Sequence, residues 1–473
     1  MPTRSFDLAI IGAGTAGMAA YEAASAHGMH IALIESGPYG TLCARQGCMP
    51  SKLLLAAAEV AHQTRTARRF GIHADLMRID GEAVMQRVHA ERRQFVDHVV
   101  DQVQQWPVTT RIKGRARFID AHHLQVGDET ISAQRFVIAT GSEPIVPVAW
   151  RHTLGSRLVT SDEVFDWPTL PRSLAVIGAG AVGLELAQAY SRLGVRVILL
   201  DSQAHVAPLT DPIVQTRATE MMGQQIDMHM NSQVLALSLE GRQVTLRYMM
   251  HGRMRITQVD HVLVAIGRHP VLDDLNLQAA GLALDDQGRL TEIDEQTGRI
   301  GQSHFFVAGD ARGQGSVLHE ASITGHIAGD NAARFPDVVA HALPTPMSVV
   351  FCDPQMMIVG QSFQALRDRA GSVVCGMASF DNQGRSRIIG RQGGVIRLYA
   401  DKARGVLLGA EMVGPGAEHI AHLLAWAIQH QIGVKALCNS PIYHPVLEEG
   451  IGPALKELAH LLHLDEPLLE PAA

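Results

Sequence analysis

Residues 7–28, DLAIIGAGTAGMAAYEAASAHG, run from a short apolar stretch through three glycines into a small-residue segment that favours helix. Asp7 to Ile11 reads as a buried strand, and the AAYEAASAHG segment as the helix that follows it. Gly12 and Gly14 let the backbone turn and come close to a bound pyrophosphate at the helix N-terminus, while Gly17 lets helix and strand pack tightly. A second strand, His30 to Ile34, leads into Glu35, 23 residues after Gly12. A carboxylate at that distance is placed to bond a ribose hydroxyl. The stretch therefore predicts a dinucleotide-binding strand–helix–strand unit.

The same pattern returns once. Leu174 to Ile177 reads as strand, Gly178-Ala-Gly180-Ala-Val-Gly183 as the turn, the segment through Leu193 as helix, and Arg196 to Leu200 as a second strand closed by Asp201. The acid again follows the first glycine by 23 residues. One glycine fingerprint is weak evidence, but two complete units predict that the chain binds two dinucleotides. Asp201 would bond a free 2'-hydroxyl and repel a 2'-phosphate. The following SQAHVAP offers no Arg or Lys to hold a phosphate, so NAD(H) is expected in preference to NADP(H).

The chain has 473 residues, too many for one core and suited to about three domains. Apolar residues make up 47% and charged residues 18%, a globular composition. The net charge of -7 provides no positive field for nucleic acid. Arg65 to Arg69, the one basic run, reads as a solvated helix face. Leu8 to Ala20 is broken by its glycines and lacks a cleavage site, so it is not read as a signal peptide. No membrane span is expected. Five cysteines are too few for a secreted disulfide framework, which points to a reducing cytoplasm.

Two of those cysteines are close together. Cys43-Ala-Arg-Gln-Gly-Cys48 runs into Met-Pro-Ser-Lys52 and then the helical LLLAAAEVAH. A helix entrance with a nearby cation stabilises a thiolate, the reactive form in disulfide exchange. A zinc site needs about four ligands, and no second cysteine pair supplies them, so no metal is expected. Cys352, Cys375 and Cys438 read as small buried residues.

These stretches together resemble the pyridine nucleotide-disulfide oxidoreductase family over nearly the whole chain, and within it the dihydrolipoamide dehydrogenases most. The resemblance implies FAD at Gly12, Gly14, Gly17 and Glu35, and a redox disulfide at Cys43 and Cys48. Ala139-Thr140-Gly141 resembles the return to the flavin domain, Gly267-Arg268-His269-Pro270 the second crossing, and Gly309-Asp310 the ribityl contact. Lys52 and Glu185 resemble an ion pair beside the flavin, and His319 a residue over its pyrimidine. His444 and Glu449 resemble an acid/base pair, the histidine reaching the cysteines of the other subunit. NAD would bind at Gly178, Gly180, Gly183 and Asp201. One departure is Leu42, which stands beside Cys43 where the family usually has threonine. A hydroxyl near the flavin phosphates is thus missing, or supplied by Thr41.

The architecture implied is α/β, with two Rossmann-like domains for FAD and NAD and a C-terminal α+β dimerisation domain. Expected bounds are 1–145 and 271–342 for FAD, 146–270 for NAD, and 345–473 for the dimer interface. The expected activity passes electrons between a dithiol such as dihydrolipoamide and NAD in a homodimer with a composite active site. A lipoyl partner would be a separate chain. The alternatives are a reductase of another disulfide, or of a metal or quinone, and a flavin-bound redox sensor or scaffold. His444 and Glu449 argue against the last of these.

Overall fold

The computed structural model describes residues 3–74, 77–206, 208–313, 317–369 and 371–464. The first strand, Thr3–Ile11, sits at the middle of a seven-stranded sheet. It pairs in parallel with Ile31–Glu35 and Glu129–Ile138, and the sheet is completed by Arg111–Lys113, Ala116–Phe118, His123–Val126 and Phe305–Val307. Strand Phe305–Val307 enters from far along the sequence and pairs in parallel with Glu129–Ile138. One polypeptide segment therefore leaves this sheet and later returns to it. Helix Leu318–Arg334 follows the return and crosses helix Thr15–Ser25 at very close range. A Cβ added at Gly325 or Gly329 would overlap the backbone of Ala16 or Ala20, so only glycine permits that approach.

The inserted segment builds a second, all-parallel sheet in the order Asp227–His229, Arg196–Leu200, Ser173–Ile177, His261–Val264, Leu158–Val159. All but the edge strand Asp227–His229 are nearly continuous apolar runs, as expected for strands buried on both faces. A three-stranded antiparallel meander, Ser232–Glu240, Gln243–Met250 and Arg253–Val259, packs beside it. The two crossings pair with each other, Ser142–Pro144 against Arg268–Pro270.

Residues after 346 form a five-stranded antiparallel sheet in the order Met347–Val350, Gln355–Gly360, Leu407–Gly414, Val395–Asp401, Val373–Ser379. Helices Ala417–Gln429 and Gly452–Leu461 bury their apolar sides on it. This unit is tied to the second sheet by a buried carboxylate. Glu411, fully buried, accepts hydrogen bonds from the backbone N–H groups of Thr210, Asp211 and Phe363 and from the Thr210 hydroxyl. Those donors offset the cost of taking the charge out of water. Of the remaining cysteines, Cys352 is fully buried, and Cys375 and Cys438 are half-buried. The Arg65–Arg69 run is exposed at all three arginines, and two of them also reach backbone carbonyls: Arg65 donates to that of Arg192 and Arg69 to that of Gly390. No helix among the described residues is long and apolar enough to cross a membrane.

Candidate functional site

The two glycine turns are built alike. A Cβ on Gly17 would overlap the carbonyl of Gly12, and one on Gly183 that of Gly178. A Cβ on Gly12 would overlap the carbonyl of Ala139, and one on Gly178 that of Ala265. Gly14 and Gly180, by contrast, open the helices Thr15–Ser25 and Ala181–Arg192 with no atom within 4 Å of an added Cβ. Each turn is thus closed on its inner side and open where a pyrophosphate would meet the helix N-terminus.

Both terminal acids bond to their own turns. Glu35 accepts from the N–H of Ala13 at 2.8 Å and of Gly37 at 2.7 Å. Asp201 accepts from Ala179 at 2.5 Å and from Gln203 at 2.7 Å. Each carboxylate is fixed by two backbone donors and keeps further lone pairs for a ribose. Beside the first turn, the Thr140 hydroxyl is buried without a hydrogen-bond partner among the described residues, the mark of a polar group meant to be satisfied by a ligand. Ile266 takes the place of Thr140 beside the second turn. There a cleft of ≈ 440 Å³ is lined by Gly178, Gly180, Asp201, Gly267 and Arg268. Ser202 and Gln203 also line it, and no lysine does. Ala207, in the segment after Asp201, lies outside the described residues.

Cys48 opens the 19-residue helix Cys48–Thr66, and Cys43 lies in a separate short helix, Leu42–Gln46. The side chain of Thr41 caps that short helix by accepting from the N–H of Ala44 at 3.3 Å. Thr41 therefore works as a cap, and Leu42 is partly exposed. The two thiols are hydrogen-bonded, with opposite consequences. The bond to Cys48 and burial push the Cys43 thiol far above its usual range. The Cys43 bond pulls Cys48 down to about 6, with Lys52 also lowering it, while burial and Glu185 oppose. Cys48 is the thiolate, and Cys43 holds the proton.

Lys52 bonds Glu185 at 2.7 Å, so two sequence-predicted residues meet although one comes from each nucleotide fold. Glu185 is 4% exposed and has two further partners that the sequence did not reveal: the Ser51 hydroxyl at 3.0 Å and the backbone N–H of Phe351 at 3.0 Å. The Lys52 ammonium also lies 4.7 Å from the Phe351 ring centroid. Asp310 accepts from the Ser142 hydroxyl at 2.6 Å, and Ser142 in turn accepts from Arg268 at 2.9 Å. His319 lies half-buried in the first turn of helix Leu318–Arg334.

His444 stands apart from this cluster, on the C-terminal unit. Its Nδ1 is 2.9 Å from Glu449, and its side chain is 79% exposed. Glu449 is held below the usual carboxylate range by His444 first and then by the N–H of Val446. The far ring nitrogen is left to face outward chemistry, with its tautomer set by the carboxylate.

Two family models cover most of the chain: pyridine nucleotide-disulphide oxidoreductase over residues 6–325, and the dimerisation domain of the same family over 346–455. The chain belongs to the pyridine nucleotide-disulphide oxidoreductases. Among members, dihydrolipoyl dehydrogenase 3 of Haloarcula marismortui is 30% identical over 474 residues, covering 95% of each chain. Dihydrolipoyl dehydrogenase of Chlamydia muridarum is 30% identical over 99% of this chain and 98% of its own. Two solved structures share the fold. They are LpdA from Mycobacterium tuberculosis (TM-score 0.81, 23% identity, 97% of this chain and 100% of that one) and a Cu(II) complex of the HOCl-induced flavoprotein disulfide reductase RclA from Escherichia coli (TM-score 0.80, 21%, 98% and 100%). The oxidoreductase is a flavoprotein that uses FAD and NAD(H). Its two open glycine turns, its two fixed acids and its orphaned Thr140 hydroxyl fit those cofactors.

Proposed function

We propose that this oxidoreductase is a dihydrolipoyl dehydrogenase, moving an electron pair between a small dithiol and NAD(H). The reading rests most on the cysteine pair, in which the Cys48 pKa is drawn down to about 6 and that of Cys43 pushed up, beside a Lys52–Glu185 pair shared by both nucleotide folds. We assign residues 1–145 and 271–342 to FAD, 146–270 to NAD, and 345–473 to a homodimer interface.

In the oxidised enzyme Cys43 and Cys48 form a disulfide. One substrate thiol gives its proton to His444 of the partner subunit and attacks Cys43, forming a mixed disulfide and releasing Cys48 as a thiolate. The second substrate thiol then displaces Cys43, which takes up a proton as the substrate closes its own disulfide. Glu449 holds the imidazole and stabilises it when charged. Lys52 offsets the Cys48 charge. Bound FAD would supply the two-electron acceptor for the Cys48 thiolate and the hydride donor for NAD. Asp310 and Thr140 would hold the flavin, and His319 would cover it. Gly178, Gly180, Gly183, Asp201 and Gly267 would hold the nicotinamide dinucleotide. A lipoyl group on a separate chain is the natural carrier of such a dithiol.

The test is NADH-dependent lipoamide reduction by purified protein, followed by subunit mixing. Cys43→Ser and His444→Ala homodimers should each be nearly inactive. Random exchange should restore about a quarter of wild-type turnover, since one site of each mixed dimer is intact. Mixed dimers with no recovery would place His444 in its own subunit's site. An active wild-type flavoprotein that ignores lipoamide and reduces another disulfide would replace the substrate.

A further inference from the structure

Beyond Asp201 the second cleft continues into a smaller pocket of ≈ 190 Å³, and the two share Gly178, Asp201, Ser202 and Ile266. The larger cleft also contains Gly180, Ala181 and Arg268, so it is the end where the pyrophosphate and the reactive ring lie. The smaller one keeps Asp201 and Ser202 but has Trp150, Leu200, Gln233 and Val234 instead of Gly180, Ala181 and Arg268, which leaves it for the second base of a dinucleotide. Trp150 forms one wall, with Leu200 and Val234 among the others. It comes from the helix Val148–Leu154, which follows directly on the first crossing, and it is half-buried against the core under the meander. Asp201 is the one charged side chain in this pocket, so its base-binding end is made of apolar and uncharged surface. An indole face there offers a purine a broad, polarizable plane.

We propose that Trp150 is the platform on which the adenine of NAD(H) stacks, and so a specificity-determining residue for the dinucleotide. The inference rests on the reading of the second cleft as the NAD(H) site. Stacking selects for an aromatic base at this end, whereas Asp201 selects against a 2'-phosphate, so the two residues read different parts of one nucleoside.

The experiment uses the full-length, FAD-loaded protein and ADP-ribose, which carries the adenine half and cannot be turned over. Calorimetry should show binding weakened about tenfold in Trp150→Ala and within about threefold of wild type in Trp150→Phe. Flavin content should be unchanged in both. In the wild type, ADP-ribose should quench tryptophan emission, and Trp150→Phe should lose that quench. Equal affinity of wild type and Trp150→Ala, or no quench in the wild type while ADP-ribose binds, overturns the stacking. ADP-ribose that fails to bind the wild type overturns the cleft's assignment, and the stacking with it.

Discussion

The two nucleotide folds share their turns almost atom for atom, yet they are finished differently. In the first, helix Leu318–Arg334 lies against the glycine-turn helix with Gly325 and Gly329 at its backbone, and the wall residue is Thr140, a hydroxyl that waits for a partner. In the second, the wall residue is Ile266 and the cleft stays open. What differs is the cover and the polarity of one neighbouring side chain, rather than the turn itself.

The largest expected effect breaks the turns one at a time. Gly17→Val and Gly183→Val each force a side chain into a backbone carbonyl, and overpacking of this kind costs about 3 kcal/mol. The first should yield protein without flavin. The second should keep its flavin and lose roughly a hundredfold in ADP-ribose affinity. Flavin absorbance per chain and calorimetry decide the matter, and flavin loss from both variants would show that the folds are not independent.

A smaller effect concerns the acids. NADH should be used well over tenfold better than NADPH, and Asp201→Ala should bring that ratio down by about tenfold through relief of repulsion. Glu35→Ala should lower flavin retention and leave the NADH/NADPH ratio alone. Steady-state kinetics with both nucleotides would sink the assignment if wild type used them equally.

The smallest effect sharpens the comparison where the folds meet. Lys52 lowers the Cys48 pKa and Glu185 raises it. In the reduced enzyme, Cys48 alkylation by iodoacetamide should rise with pH through a midpoint near 6, because the thiolate forms above that pH. Lys52→Met should move the midpoint up. Glu185→Gln should move it down, and a shift upward there would mean that Glu185 acts through Lys52 instead of by its own charge.

Both turns, their acids and the cysteine pair were legible because each is a local pattern, a few residues at fixed spacing on one strand and one helix. Lys52 and Glu185 were found through family resemblance, being 133 residues apart. Ser51 and Phe351 were not found, since a seryl hydroxyl and a main-chain N–H carry no sequence signature and their distances along the chain from Glu185 are 134 and 166 residues. The role proposed for Trp150 has no sequence signature for a similar reason: a lone tryptophan in a short helix acquires such a meaning only when the meander brings Ser232, Gln233 and Val234 to the same pocket. The departure at Leu42 was visible, and the neighbouring Thr41 accepts from the Ala44 N–H as a helix cap while its own O–H keeps a proton to donate.

Glu185 ties the redox centre to the assembly of three separate segments of the chain. Its three partners come from the helix that Cys48 opens and from the start of the C-terminal unit, while the carboxylate itself belongs to the inserted fold. A chain in which any of the three had docked wrongly would leave a charge buried without its donors, a penalty of several kcal/mol. Such a chain would also hold Lys52 away from Cys48. Misassembly would then weaken the thiolate by the Lys52 contribution, while the hydrogen bond to Cys43 remains its larger support.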